Sequence, residues 1–226
     1  MLHRRDFGNT SLIVEVFAVG HGRLPALAKG ARRGRGAVAA ILQPFRPLWM
    51  SWSGRGEVRT LTRSEPAGRA FDLQGEALLC GFYLNELLVR LLGRADPHAD
   101  LFAFYHAALS DLAAGRDLQG VLRQFELRLL EELGYASAID READGRAVVA
   151  ERRYVCLPDA GLCAASDAQA EVTVSGTTLL LLAAGEPLTG QHAREARELM
   201  RRLLAPHLGD RPLKSRELFR RWRNTG

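Results

Sequence analysis

Arg4, Arg5, Arg23, Lys29, Arg32, Arg33, Arg35, Arg55 and Arg59 are interleaved with Phe7, Trp49 and Trp52 in the first part of this sequence. That mixture suits an oligonucleotide groove, because cations neutralise phosphates and release counterions while aromatic faces stack on unpaired bases. Trp49 and Trp52 lie three apart, on opposite faces of an extended strand, so at least one is expected in a core. A second cluster fills residues 211–223, where Lys214, Arg216, Arg220, Arg221 and Arg223 accompany Phe219 and Trp222. Its charge suits phosphate contact, and Leu218, Phe219 and Trp222 equally suit the packing of a terminal helix.

Covalent chemistry has no comparable signature. No Gly-x-x-x-x-Gly-Lys-Ser/Thr loop is present, and neither Gly20-His21-Gly22 nor Gly34-Arg35-Gly36 has the strand-glycine-helix setting of a pyrophosphate site. His-Glu-x-x-His, a Gly-x-Ser-x-Gly elbow and clustered nuclease carboxylates are also missing. Cys156 and Cys163 are the only close cysteine pair, whereas a structural zinc site needs four ligands, so no metal and no cofactor are expected. Three cysteines make no disulfide framework, and no secretory segment opens the sequence, which together point to a reducing cytoplasm. The longest apolar stretch, near residues 179–184, is far short of the ~20 needed for a membrane span.

The net charge of +5 conceals a pattern. Residues 1–70 carry 12 Lys and Arg against 4 Asp and Glu, residues 71–192 carry 9 against 18, and residues 193–226 carry 10 against 4. Two basic ends around an acidic middle suggest separate surfaces with different partners.

The elements that must position these residues follow from periodicity. Residues 11–17 form a β-branched, partly alternating run, and residues 24–31, 42–52 and 57–63 read as further strands. Pro44 and Pro47 place the third run at an edge or a bulge. Short strands joined by glycine-rich turns point to a small barrel. A helical period begins after Asp72, a candidate N-cap, and stops at Gly93. Further helices are expected over 97–114, over 117–133 and over 191–208. Leu199, Met200, Leu203 and Leu204 should face inward on the last of these, opposite Arg194, Arg197, Arg201 and Arg202. Residues 136–176 lose the helical period and read as an irregular lobe with short β-runs, before helicity resumes near Thr177.

Several segments in this order resemble the RecO family of recombination mediators. They are Leu2-His3-Arg4-Arg5 with Gly8-Asn9-Thr10-Ser11-Leu12, His21-Gly22-Arg23-Leu24, Ala28-Lys29-Gly30-Ala31-Arg32-Arg33 and Leu42-Gln43-Pro44-Phe45. Further on come Gly81-Phe82-Tyr83-Leu84-Asn85-Glu86-Leu87, Phe125-Glu126-Leu127, Leu133-Gly134-Tyr135 and Pro212-Leu213-Lys214-Ser215-Arg216-Glu217-Leu218-Phe219. The resemblance implies an α+β, multi-domain chain. Residues 1–70 would be an OB-fold β-barrel, and residues 71–135 the first part of an all-α helical domain. Residues 136–176 would be a zinc-finger-like but metal-free lobe, and residues 177–226 the rest of the helical domain with a basic C-terminal segment.

The same resemblance implies a non-enzymatic, ATP-independent protein. It would bind single- and double-stranded DNA, anneal complementary strands, engage RecR and the acidic tail of single-strand-binding protein, and help RecA load. Carried over, Lys29, Arg32, Arg33 and Arg35 are the leading DNA contacts, with Arg4, Arg5 and Arg23 beside them and Lys214 and Arg216 second. Arg123, Leu127, Leu130 and Arg201 correspond to an apolar pocket ringed by arginines for the tail. Many relatives carry four cysteines in the lobe, a pattern from which this sequence departs. It also opens almost on Leu2-His3-Arg4-Arg5, leaving either a shortened first strand or a start inside the natural one. An RNA-binding OB protein is the alternative on the same residues.

Overall fold

The computed structural model describes residues 1–33, 37–135, 139–157, 161–165 and 173–224. In chain order its elements are β1 (His3–Phe7), β2 (Ser11–Ala18), β3 (Gly22–Ala28), α1 (Ala37–Ile41), β4 (Leu48–Ser53) and β5 (Arg59–Pro66). Helices α2 (Gly75–Leu91), α3 (Ala99–Ala113) and α4 (Leu118–Glu132) follow. Then come β6 (Arg153–Leu157), β7 (Gly161–Ala164), β8 (Val174–Ser175), α5 (Gly176–Ala184), α6 (Gly190–Leu208) and α7 (Lys214–Arg223). They fall into two compact units, one of Met1–Ala114 with Pro212–Gly226 and one of Gly115–Arg211. The first unit thus holds α2, α3 and α7 together with the strands β1 to β5.

In the first unit the sheet runs β1-β2-β3-β5-β4, antiparallel except for the parallel β3–β5 pair, an OB-like order. Leu12, Val14 and Val16 point from β2 into a core with Leu24, Ala26, Ala28 and Leu42. Ile13 and Phe17 on the other face of β2 are buried too, and the Phe17 ring lies 5.4 Å from that of Phe102 on α3. A strand covered on both faces explains the near-continuous apolar run. β1 and β4 are the outer strands, and the Phe45 N–H donates to the Met1 carbonyl at 3.2 Å between them.

Three expectations for this unit are corrected. β3 starts at Gly22 and ends at Ala28 instead of covering 24–31, because Gly30 (φ +66°) turns the chain and its N–H donates to Ser11 Oγ. The run 42–52 is extended only from Leu48, since Pro44 and Pro47 interrupt it after α1. Helix α2 has Gln74 rather than Asp72 at its N-cap.

Gly22 is required by its neighbour. Its φ is +65°, and a Cβ there would lie 1.9 Å from the Asp96 carbonyl oxygen. This close approach lets the Arg23 carbonyl accept from the Ala95 N–H at 2.8 Å, docking β3 on the turn between α2 and α3.

In the second unit α4, α5 and α6 bury Leu122, Phe125, Leu129, Leu130, Leu179, Leu182, Ala196, Met200 and Leu204. Asp117 caps α4 by accepting from the Gln119 and Gly120 N–H groups. The lobe is a β7-β6-β8 antiparallel sheet in which Tyr154 is fully buried, its hydroxyl accepting the Val149 N–H at 2.8 Å. No helix among the described residues is long and apolar enough to cross a membrane.

Candidate nucleic-acid interface

β1 is an outer strand whose pleat sorts its side chains into two groups. Arg4 and Asp6 share one face. Arg4 Nη1 donates to the carbonyls of Ala39 (2.8 Å) and Leu42 (3.3 Å), closing the end of α1. Asp6 pairs with Arg32, whose other terminal nitrogen donates to the Gly8 and Asn9 carbonyls at 2.9 and 2.8 Å. Arg32 therefore staples residues 29–33 to the β1–β2 turn. Lys29 and Arg33 are exposed on either side of it. Arg35 lies outside the described residues.

His3 and Arg5 share the opposite face. Burial pushes the His3 imidazole pKa below its ordinary value, Glu15 opposes that, and the nearby cations Lys214 and Arg5 lower it further. The His3 side chain of β1 thus feels the start of α7, so charges from the two ends of the sequence share one neighbourhood in the first unit.

Helix α2 holds them there. Asn85 is buried and its Nδ2 donates to the Leu2 carbonyl at 2.7 Å, while its Oδ1 accepts from the Tyr105 hydroxyl. Burial pushes the Tyr105 pKa up, which keeps that hydroxyl a donor. Glu86, the next residue, accepts the N–H groups of Lys214 and Ser215 at 2.9 and 2.8 Å and the Ser215 hydroxyl at 2.7 Å. Leu213 is buried just before them. Sequence reasoning does not single out Asn85 and Glu86, although a polar pair inside the apolar run 82–88 is the signal that could have found them.

Arg23 is largely buried, with 13% of its side chain exposed. It pairs with Glu15 at 3.2 Å and donates from Nε to the Leu92 carbonyl at 3.1 Å. Of the sequence-selected cations, Arg5, Lys29, Arg33, Lys214 and Arg216 are exposed, whereas Arg4, Arg23 and Arg32 hold backbone carbonyls. Among the aromatics, Trp49 is 73% exposed on β4 and Phe7 is exposed on β1, while Trp52 packs against the β-core.

In the second unit, Arg123 and Glu126 form an interior ion pair at 2.8 Å, with 7% and 1% of their side chains exposed. Leu127 and Leu130 are buried beside them, and Arg201 is an exposed α6 residue paired with Glu198 at 3.0 Å. Arg123, Leu127 and Leu130 are therefore interior residues, whereas Arg201 is on the surface. A cavity of about 250 Å³ lies between the lobe and α6, lined by Tyr154, Val174 and Leu199 with Arg194 and Arg202. Glu195, on its wall, accepts from the Ser175 N–H and hydroxyl, Thr178, Gln191 and Arg153. Burial pushes the Glu195 pKa up, but the hydrogen bonds from Ser175, Gln191 and Thr178 outweigh it and hold the carboxyl at about 2. Cys156 and Cys163 are not joined in a disulfide. Burial and the neighbouring Cys163 push the Cys156 pKa up. Among the described residues no group of three or more His, Cys, Asp or Glu is placed to hold a metal ion.

Residues 1–69 match the family model described as Recombination protein O N terminal, and residues 73–217 match that described as Recombination protein O C terminal. An OB-like β-sheet domain followed by a helical part with a small β lobe therefore places the chain in the class of recombination proteins. DNA repair protein RecO of Methylococcus capsulatus is 53% identical over 221 residues, covering 97% of this chain and 90% of that protein. The RecO proteins of Halorhodospira halophila and Nitrosospira multiformis are 46% identical over 227 residues and 44% over 223. Those alignments cover 99% and 97% of this chain, and 96% and 92% of the respective relatives. The chain belongs to the RecO family, whose members are non-enzymatic recombination mediators.

Proposed function

We propose that this chain binds single- and double-stranded DNA, anneals complementary strands without ATP or metal, and helps load RecA together with RecR. The observation that carries this reading is the anchoring of both basic segments on α2, where the adjacent Asn85 and Glu86 hold Leu2 in front of β1 and the first residues of α7. Cations gathered from both ends screen the repulsion between two phosphate backbones, which is the main barrier to bringing strands together. Lys29 and Arg33 extend the cationic surface past the Arg32 staple. Arg4 and Arg23 support it from beneath, and Arg216 continues it along α7.

For the acidic tail of single-strand-binding protein, Arg123, Leu127 and Leu130 supply the interior of the second unit. The cavity between the lobe and α6, where Arg194 and Arg202 stand beside Glu195 and Glu198 and Arg201 follows along the helix, is the docking place we assign to the apolar end of that tail. Annealing of complementary oligonucleotides coated with single-strand-binding protein, in EDTA and without nucleotide, is the deciding assay. Annealing that depends on the tail supports the reading. Turnover that requires metal, or a preference for RNA over DNA of equal length, contradicts it.

A further inference from the structure

Helix α7 carries five Lys or Arg residues against the single carboxylate Glu217 in ten residues. One side of it is anchored through buried Leu213 and Ser215, with half-buried Phe219 one turn beyond Ser215. Flanking that anchored side, large apolar groups remain partly in solvent: Leu218 is 42% exposed and Trp222 is 46% exposed. Lys214, Leu218 and Trp222 are spaced four apart, so at about 100° per residue they fall within one face of the helix. The Lys214 end of that face is held on α2 by Glu86, and the start of β1 is held on α2 by the adjacent Asn85, so the cations of the helix and of β1 are anchored at neighbouring positions.

We propose that the Lys214–Leu218–Trp222 face of α7 is a stacking strip for unpaired bases. It would make the chain bind single strands more tightly than duplex. The inference rests on the DNA-binding reading above and deepens it. A duplex keeps its bases stacked within and offers this helix only phosphates, whereas a single strand offers phosphates and a free ring face together. The cations act on both polymers alike, so any discrimination must come from the apolar residues. An acidic peptide is the competing occupant, and the shape of the site disfavours it. Peptide anchors need a concave socket, and this face is the convex ridge of a helix. A base needs only one flat partner, and a polyphosphate chain can follow the cations from α7 onto β1.

The test is fluorescence anisotropy of the full chain with a labelled oligothymidylate and with a duplex of equal length, for wild type, Trp222→Phe, Trp222→Leu and Trp222→Ala. Stacking on one aromatic predicts that Trp222→Leu and Trp222→Ala weaken oligothymidylate binding roughly 5- to 150-fold. Duplex binding should stay within about twofold, and Trp222→Phe should retain most of the single-strand affinity. Trp222→Leu keeps apolar bulk against α7, so a weakening confined to the single strand in that variant cannot be a packing defect. Wild type that binds neither polymer overturns the DNA-binding reading itself. Wild type that binds both, with variants that weaken both equally or neither, overturns the strip alone. Variants that no longer bind an acidic aromatic peptide, yet bind oligothymidylate as wild type does, assign the face to a protein partner and also overturn it.

Discussion

The Glu86 carboxylate of α2 holds the start of α7 through Ser215, accepting both its N–H and its hydroxyl at 2.8 and 2.7 Å. It also takes the Lys214 N–H, so one side chain satisfies two of the orphan donors that every helix start exposes. Glu86→Ala removes all of these hydrogen bonds and is expected to destabilise the protein by about 1–2 kcal/mol, the scale of removing a cap. Urea unfolding measures this. Ser215→Ala should cost less than Glu86→Ala, and the double variant should cost less than the two added together. Strict additivity would mean that the two residues do not act through each other.

Gly22 and Gly20 separate backbone conformation from close approach. Both have positive φ, +65° and +73°, but only Gly22 faces a backbone atom that a Cβ would strike. Gly20→Ala should cost about 1–2 kcal/mol from conformation alone. Gly22→Ala should cost more than about 3 kcal/mol or prevent folding, because backbone at Asp96 cannot move aside as a flexible side chain does. Equal midpoints for the two variants would contradict the close approach.

Glu195 sets an acid limb. Its folded pKa of about 2 lies below its ordinary value of 4.5, so it contributes stability that is fully present above pH 4.5 and declines as pH falls toward 2. The contribution is of the order of 2–3 kcal/mol. Glu195→Gln should lower stability at neutral pH and flatten its decline between about pH 4.5 and 2. An acid limb as steep as that of the wild type would place the titrating group elsewhere.

Lys29 and Arg33 differ from Arg32 in what their removal should do. Lys29→Ala and Arg33→Ala are expected to leave the melting temperature near that of wild type. Every cation taken away from a phosphate lowers the slope of log affinity against log salt on duplex DNA by about 0.9. Arg32→Ala should also lower the melting temperature, since it releases the Gly8 and Asn9 carbonyls and Asp6. Titrations at several salt concentrations with a thermal melt of each variant separate these effects. An unchanged slope in the Lys29 and Arg33 variants removes that segment from the interface.

Much of the fold is legible in the residues. β2 announces itself by β-branched side chains, and α4 by Asp117 in front of its apolar period and Gly134 behind. β1 carries no readable strand pattern, because His-Arg-Arg-Asp-Phe has no buried alternation. It pairs at the sheet margin, with Arg4 and Asp6 satisfied by side-chain and backbone partners far along the sequence. The segment 42–52 misleads for the opposite reason: Trp49 and Trp52 carry a β-like signature, but the prolines before them delay the strand. The positive charge of the site is plain in the sequence, yet its use is not. Arginine is long enough to reach distant carbonyls, and nothing in composition distinguishes Arg23, which ties β3 to Leu92, from Arg33, which faces solvent. Arg123 shows the same limit in the interior, where a neighbour three residues on balances its charge.

Neighbouring side chains on one helix, Asn85 and Glu86, tether a segment made before that helix and another made long after it. During translation β1 can find Asn85 once α2 has emerged, but Glu86 waits for more than a hundred further residues before its partner leaves the ribosome. The two halves of the cationic surface therefore cannot be joined on α2 until α7 has been made.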